Sequence, residues 1–286
     1  MARLLRSLIF VPGNNPRFLE KAKTLFGDIV CFDLEDSVPM NEKDSARNLI
    51  KEALTKRSEY KAELFVRTNS PLSGLIPDDL RQIVRKGIDG IVIPKVNNVK
   101  EFKKIEKLLI TLEKKRKLKP IELIPSIESA EGVVNAYNIA SSSKRISALV
   151  FGVFDLLNDM GIEYTKQPDG AKYARAKIPL DAKAAGKYAI DAIWQDLNDE
   201  EGFEKDCITG RDLGYVGKSI IHPNQISVTH RIFHPTKNEI EWAEKVCQAY
   251  IESTKKNKGA TVVEGKMIDE VHFKRAKALL DSARNN

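Results

Sequence analysis

The chain has 286 residues, of which 42% are hydrophobic, enough to bury the core of one domain of roughly 250 residues. It has no apolar run of about 18 residues and no leader-like segment after Met1–Arg6, which argues against a membrane-spanning class and for a soluble, cytoplasmic protein, or a mitochondrial-matrix one in a eukaryote, although no transit peptide is evident. The three cysteines, Cys31, Cys207 and Cys247, are widely spaced, odd in number and form no CxxC pair, so they indicate neither a disulfide framework nor a zinc site. The net charge of +7 comes from lysines spread over helical stretches such as Lys100–Lys119, without interleaved aromatics. These lysines read as solvated helix faces, with a phosphate-bearing small ligand as the alternative, and a nucleic-acid partner is not expected.

From Arg6 onward, short apolar runs alternate with longer amphipathic ones. Strands are predicted at Ser7–Val11, Ile29–Leu34, Glu63–Arg67, Gly90–Pro94, Glu122–Ile127, Ala148–Val153, Tyr188–Ile193 and Lys218–Ile221. Helices are predicted between them at Pro16–Leu25, Glu42–Lys56, Pro77–Lys86, Val99–Arg116, Glu131–Ser141, Tyr173–Gly186 and Glu201–Leu213. Eight strands alternating with helices point to an α/β protein with a (β/α)8 TIM barrel over residues 1–232. An open doubly wound sheet is the competing fold, but no GxGxxG or Walker loop follows any strand. Beyond the barrel, Thr236–Ser253 has the spacing of a strong helix, Lys255–Gly259 reads as a flexible linker, and the remainder to residue 286 reads as an ordered arm that docks on a neighbouring subunit.

A barrel places its active site at the C-terminal ends of its strands. There the sequence offers Phe10–Gly13, Asp33–Asp36, Arg67–Asn69, Pro94-Lys95, Glu128, Asp155, Asp191 and Ile221–Pro223. Glu128 and Asp155 end neighbouring strands; two hard oxygen donors with room for water and substrate suit Mg2+, with Mn2+ as a substitute, although either acid could equally cap the next helix. Arg67 ends an otherwise apolar strand and can clamp a carboxylate bidentately, or pair with Glu35 or Asp36. His222 could act as a base, but a His-Pro strand end serves equally well to hold a loop or bind substrate through its backbone. A metal, an arginine and extra acids together fit electrostatic stabilisation of an enolate or α-keto acid oxygen, as in an aldol or Claisen cleavage.

These stretches, together with Arg6–Gly13, Asp33–Asp36, Val66–Asn69, Pro94–Val96, Ile124–Glu128, Phe151–Asp155, Tyr173–Arg175, Gly217–Gln225 and Gly265–Asp269, resemble the citrate lyase β-subunit-like family of the HpcH/HpaI aldolase group. The resemblance runs in family order over nearly the whole chain, with the pattern of citramalyl-CoA and malyl-CoA lyases. It implies Mg2+ held by Glu128 and Asp155, and an acyl-CoA substrate cleaved to acetyl-CoA and an α-keto acid, pyruvate or glyoxylate. It assigns Arg67, assisted by backbone amides at Val153 and Phe154, to the keto acid. Phe10, Arg17 and Lys21 would meet CoA, and Ile221 and His222 the thioester. Glu35 and Asp36 would anchor Arg67 and water around the metal. Asp269, supplied by the arm of an adjacent subunit in a homotrimer or hexamer, would exchange a proton with the acetyl group. The resemblance also covers the citrate lyase β subunit, which acts on a citryl thioester of an acyl carrier protein. A non-catalytic RNA-binding or regulatory barrel is the reading furthest from these residues. The chain departs from the family at Thr68, where valine is common, at Gly152-Val-Phe-Asp155, which lacks an acid before Asp155, and at Glu270. Volume near Thr68 and Phe154 is expected to choose between pyruvate and glyoxylate.

Overall fold

The structure, a computed structural model, describes residues 4–165 and 169–283; the extreme ends of both expected domains lie outside the described residues. Leu5–His230 form one compact unit, and Arg231–Asn286 belong to a second.

In the first unit, eight parallel strands close into a barrel in sequence order. They are β1 (Ser7–Pro12), β2 (Ile29–Asp33), β3 (Glu63–Arg67), β4 (Gly90–Ile93), β5 (Glu122–Ile127), β6 (Ala148–Phe151), β7 (Tyr188–Asp191) and β8 (Gly217–Ile220). Closure comes from β1 pairing with β8 in the register Ser7↔Lys218, Leu8↔Ser219 and Ile9↔Ile220. The (β/α)8 expectation is thus met. The outer helices are α1 (Pro16–Ala22), α2 (Lys43–Thr55), α3 (Ile76–Ile83), α4 (Val99–Arg116), α5 (Ala130–Ser141), α6 (Val153–Asp159), α7 (Lys172–Ala184), α8 (Glu200–Leu213) and α9 (Gln225–Phe233).

Most strands are apolar through their middles because they are covered on both faces, inside by the barrel core and outside by helices; β8, with buried Lys218 and Ser219, is the exception. Leu8, Ile29, Cys31, Phe65, Val92, Ile124, Ala148, Val150 and Ile190 form the interior cluster. Phe65 fills so much of it that a Cβ on Gly90 would lie 2.0 Å from its ring, which is why β4 begins with glycine. Side chains alternate along a strand, so this cluster fixes the parity of the mouth. Two residues beyond Cys31, Phe65 and Val150 stand Asp33, Arg67 and Gly152, and four beyond Ile124 stands Glu128.

Two outer helices depart from expectation. Strand six was expected to run to Val153 but ends at Phe151; Gly152 is the extended N-cap of α6, which the apolar run Val153-Phe154 disguises as strand. Helix α9 follows the His-Pro turn and was not anticipated.

The second unit contains α10 (Lys237–Lys255), opened by a capping box between Thr236 and Glu239. Residues 255–259 are not a flexible linker. The backbone N–H groups of Lys256, Asn257 and Lys258 donate to Ser253 or Thr254 carbonyls, and the Ser253 hydroxyl donates to Lys258 and Ala260 carbonyls. An antiparallel hairpin, β9 (Thr261–Val263) and β10 (Lys266–Ile268), follows around Glu264-Gly265, both at positive φ as a two-residue hairpin turn requires. Helix α11 (Glu270–Ala283) packs Ala276 with Ala243, Val246 and Ile268, and Phe273 stacks on Tyr250 at 4.9 Å.

Candidate active site

Asp33 and Arg67 are register partners across β2 and β3. Their side chains therefore meet at the mouth, where Arg67 Nε and Nη2 each donate to the Asp33 carboxylate at 2.7 Å. Burial alone would raise the Asp33 pKa, but the Arg67 charge and hydrogen bonds, with those from Ser37 and the Glu35 amide, hold it down at about 2. Glu35 Oε2 lies 3.3 Å from Arg67 Nη1, and the guanidinium sits 4.4 Å above the Phe10 ring. The fork of five N–H groups spends two on Asp33, so others remain to receive a carboxylate. The expectation that Asp36 anchors Arg67 is corrected: Asp33 does so, while Asp36, 57% exposed, faces Lys95.

Glu128 is buried directly behind Gly152, whose Cβ, if it had one, would lie 2.4 Å from Glu128 Cγ. Asp155, in the first turn of α6, comes within hydrogen-bonding reach of Glu128. Burial and this neighbour push Glu128 up to about 7, despite a hydrogen bond from Ser126 and the field of Arg67. Burial and the charge of Glu128 push Glu35 up to about 8, despite Arg67. Both Glu35 carboxylate oxygens lack a hydrogen-bond partner of good geometry, although Lys95 and Arg67 stand at ion-pair distance. Carboxylates that cannot all stay ionised without added positive charge fit a divalent cation. The donor set of Glu128 and Asp155 is hard oxygen, as Mg2+ prefers. Among the described residues no group of three or more His, Cys, Asp or Glu forms a metal cage, so two carboxylates with water and substrate oxygens are the fitting arrangement.

Lys95 belongs to the rim that the sequence places at the end of strand four, with no role assigned to it there. Its φ of 52° is left-handed, which breaks the strand alternation after β4 and carries the side chain into the mouth. Its Nζ lies 3.1 Å from Glu35 Oε1 and 3.1 Å from Asp155 Oδ1. Such a backbone costs a lysine about 1–2 kcal/mol and persists only where its surroundings hold it.

The remaining residues lie as follows. Arg17 and Lys21 stand exposed one turn apart on α1. Val153 and Phe154 open α6, so their amides have no carbonyl within the helix to bond. Ile221 and His222 are half-buried, and their backbone N–H groups both donate to Gln225 Oε1, leaving the loop pinned and those amides engaged. Thr68 points by strand alternation away from the mouth that Arg67 faces, so it does not border the substrate space as expected. Asp191 is likewise turned outward: Ile190 fills the interior, while Asp191 bonds Arg175 and Lys218 beneath α7 and α8. Beside Val153 a cavity of about 670 Å3 is lined also by Tyr164, Arg175, Trp194 and Lys205. Asp269 belongs to the second unit, where it accepts from the Val271 and His272 amides at the start of α11 and pairs with His272 Nδ1 at 2.6 Å. That contact lowers its pKa, the opposite of what a proton donor needs.

Residues 6–223 match the HpcH/HpaI aldolase/citrate lyase family. The chain belongs to that family. It is 38% identical to the citrate lyase subunit β of Leuconostoc mesenteroides subsp. cremoris over 99% of this chain and 95% of that one. It is 33% identical to the mitochondrial citramalyl-CoA lyase of Rattus norvegicus, covering 97% of this chain and 86% of that one. The crystal structure of Mycobacterium tuberculosis protein CitE with magnesium, acetoacetate and coenzyme A superposes with a TM-score of 0.80 at 25% identity, covering 98% of each chain. This family member is a carbon–carbon lyase. Among the described residues no helix is long and apolar enough to cross a membrane.

Proposed function

We propose that the protein cleaves a 3-carboxy-3-hydroxyacyl thioester, HO–C(R)(COO⁻)–CH2–CO–S–, into an α-keto acid and an acetyl thioester, with Mg2+ held by Glu128 and Asp155. The observation that carries this reading is the mouth itself: Arg67, pinned by Asp33 with donors to spare, stands beside the buried carboxylates of Glu35 and Glu128, both pushed above the usual carboxylate range. When bound, Mg2+ supplies the positive charge that polarises the hydroxyl and carboxylate oxygens of the keto-acid half. Arg67 clamps the carboxylate and fixes the C3 hydroxyl in that field. The hydroxyl proton passes to a carboxylate of the mouth, with Glu35, whose oxygens lack a hydrogen-bond partner of good geometry, the candidate acceptor; the C2–C3 bond breaks, and its electrons pass to the thioester as an enolate, which takes up a proton at C2. Asp269, brought by the arm of a second copy in a homotrimer or hexamer, is the donor in this reading, and burial there must overcome the acidifying contact with His272. Phe10, Ile221 and His222 surround the thioester. Arg17 and Lys21 face the phosphates of its carrier.

Those phosphates belong equally to free CoA and to the phosphopantetheine of a carrier protein. The higher identity to a citrate lyase β subunit, 38% against 33%, favours a citryl thioester on a carrier, and citramalyl-CoA or malyl-CoA is the second reading. Purified protein with Mg2+ is assayed for acetyl thioester release from citryl-carrier protein, citryl-CoA, citramalyl-CoA and malyl-CoA. Turnover on at least one, abolished by EDTA and by Asp155→Asn, is expected. Full activity of Asp155→Asn, or no turnover on any of the four, refutes the reading.

A further inference from the structure

The mouth gathers Asp33, Glu35, Asp36, Glu128 and Asp155, with two cations, Arg67 and Lys95, at ion-pair distance and a third, Lys43, behind them on the Leu34 and Glu35 carbonyls. Arg67 is committed to Asp33. Lys95 instead divides itself: 3.1 Å to Glu35, 3.1 Å to Asp155 and 3.4 Å to Asp36, with none of the contacts at the 2.7–2.9 Å of a tight charged pair. Its partners differ in kind. The Glu35 side chain is 6% exposed, whereas that of Asp155 is 38% exposed and so gains less from the ammonium. A lysine stem is flexible, and its ammonium is a point charge that transfers between neighbouring oxygens without losing a directional fork. The left-handed backbone at Lys95 directs the side chain to this place.

We propose that Lys95 is a tethered counter-cation: it neutralises Asp155 together with Glu35 before a divalent ion arrives, yields Asp155 when the ion binds, and remains on Glu35 and Asp36. Lys95 is thus a positioning residue that sets divalent-metal affinity and keeps the metal-free barrel folded. This inference rests on the reading of Glu128 and Asp155 as metal ligands.

Mg2+ binding to the EDTA-stripped full chain is measured by calorimetry for the wild type, Lys95→Met, Lys95→Gly and Asp155→Asn, with thermal unfolding followed in EDTA and in saturating Mg2+. Removing the intramolecular competitor tightens Mg2+ binding at least roughly threefold. Lys95→Gly, which removes the same charge and relieves the left-handed backbone, is expected to tighten binding equally, so that the effect belongs to the ammonium. In EDTA, Lys95→Met unfolds at a lower temperature than the wild type, and saturating Mg2+ closes most of the gap. Unchanged or weaker Mg2+ affinity in both Lys95 variants, with binding lost in Asp155→Asn, overturns the proposal and leaves the metal reading standing. Absence of Mg2+ binding to the wild type, or binding unaffected by Asp155→Asn, overturns both.

Discussion

Replacing Asp33 by asparagine keeps the shape of the side chain that positions Arg67 and removes its charge. The carboxylate is fully buried and receives Arg67 Nε and Nη2 at 2.7 Å, the Glu35 amide at 2.9 Å, and the Ser37 amide and hydroxyl at 3.1 and 2.5 Å. The fall of its pKa from 3.8 to about 2 is equivalent to roughly 2 kcal/mol at 1.36 kcal/mol per pH unit. Stripping one partner from a buried pair costs about 3–5 kcal/mol where nothing else compensates, but Glu35 remains near Arg67, so a loss of roughly 2–4 kcal/mol at pH 7 is expected. Because the folded-state pKa is depressed, the stabilisation is complete above 3.8 and fades as pH falls toward 2. Urea unfolding at pH 7, 5, 4 and 3 should therefore show a wide gap between wild type and Asp33→Asn that narrows below pH 4. The variant should also bind the α-keto acid product more than tenfold more weakly, with Mg2+ affinity nearly unchanged, since Arg67 loses its orientation. A variant as stable as wild type at pH 7, or a gap that stays constant down to pH 3, refutes this account of how Arg67 is held.

Gly152→Ala drives a methyl group to 2.4 Å from Glu128 Cγ; calorimetry should show Mg2+ affinity reduced at least roughly tenfold, with a stability loss of about 1–3 kcal/mol. Arg67→Lys replaces a fork with a point charge, and the keto-acid product should bind with about 1.5–3 kcal/mol less free energy while Mg2+ titrations stay unchanged. Lys218→Met removes a fully buried ammonium 2.9 Å from Asp191, so denaturant melts should fall by about 3 kcal/mol, and enzyme that remains folded should keep its KM.

The barrel was legible because its signals are local and repeated: apolar runs, each closed by a polar residue, spaced by amphipathic stretches. The bounds of β3 and β5 were read to the residue, and the rule that such mouths lie at strand ends led to Arg67 and Glu128; Asp155, read as the end of strand six, stands instead in the first turn of α6. What escaped depends on parity and register. Asp33 stood in view at the end of β2, but its partnership with Arg67 is set by the pairing of β2 with β3, which no single strand reveals. Counting by twos from the apolar interior, 31 to 33 and 65 to 67, was the available signal, and it would also have turned Thr68 and Asp191 away from the mouth. Lys95 could not be found that way, since its left-handed backbone abandons the alternation.

Two ionic clusters at the C-terminal ends of the strands separate structure from function by charge balance. Around β7 and β8, Asp191 and Asp206 meet Arg175 and Lys218, two acids to two bases, with the side-chain contacts at 2.5–3.0 Å. The Asp191 pKa is lowered there even though it is fully buried, because Lys218 and Arg175 outweigh the loss of water. That network is complete and has no need of a ligand. At the mouth, Glu35 and Glu128 are instead pushed up to about 8 and about 7, although Arg67 and Lys95 stand nearby. A cluster left short of positive charge gains from a cation, whereas a balanced one gains nothing. The deficit at Glu35 and Glu128, rather than the mere presence of acids at strand ends, is what sets the mouth apart from the salt-bridged lattice two strands away.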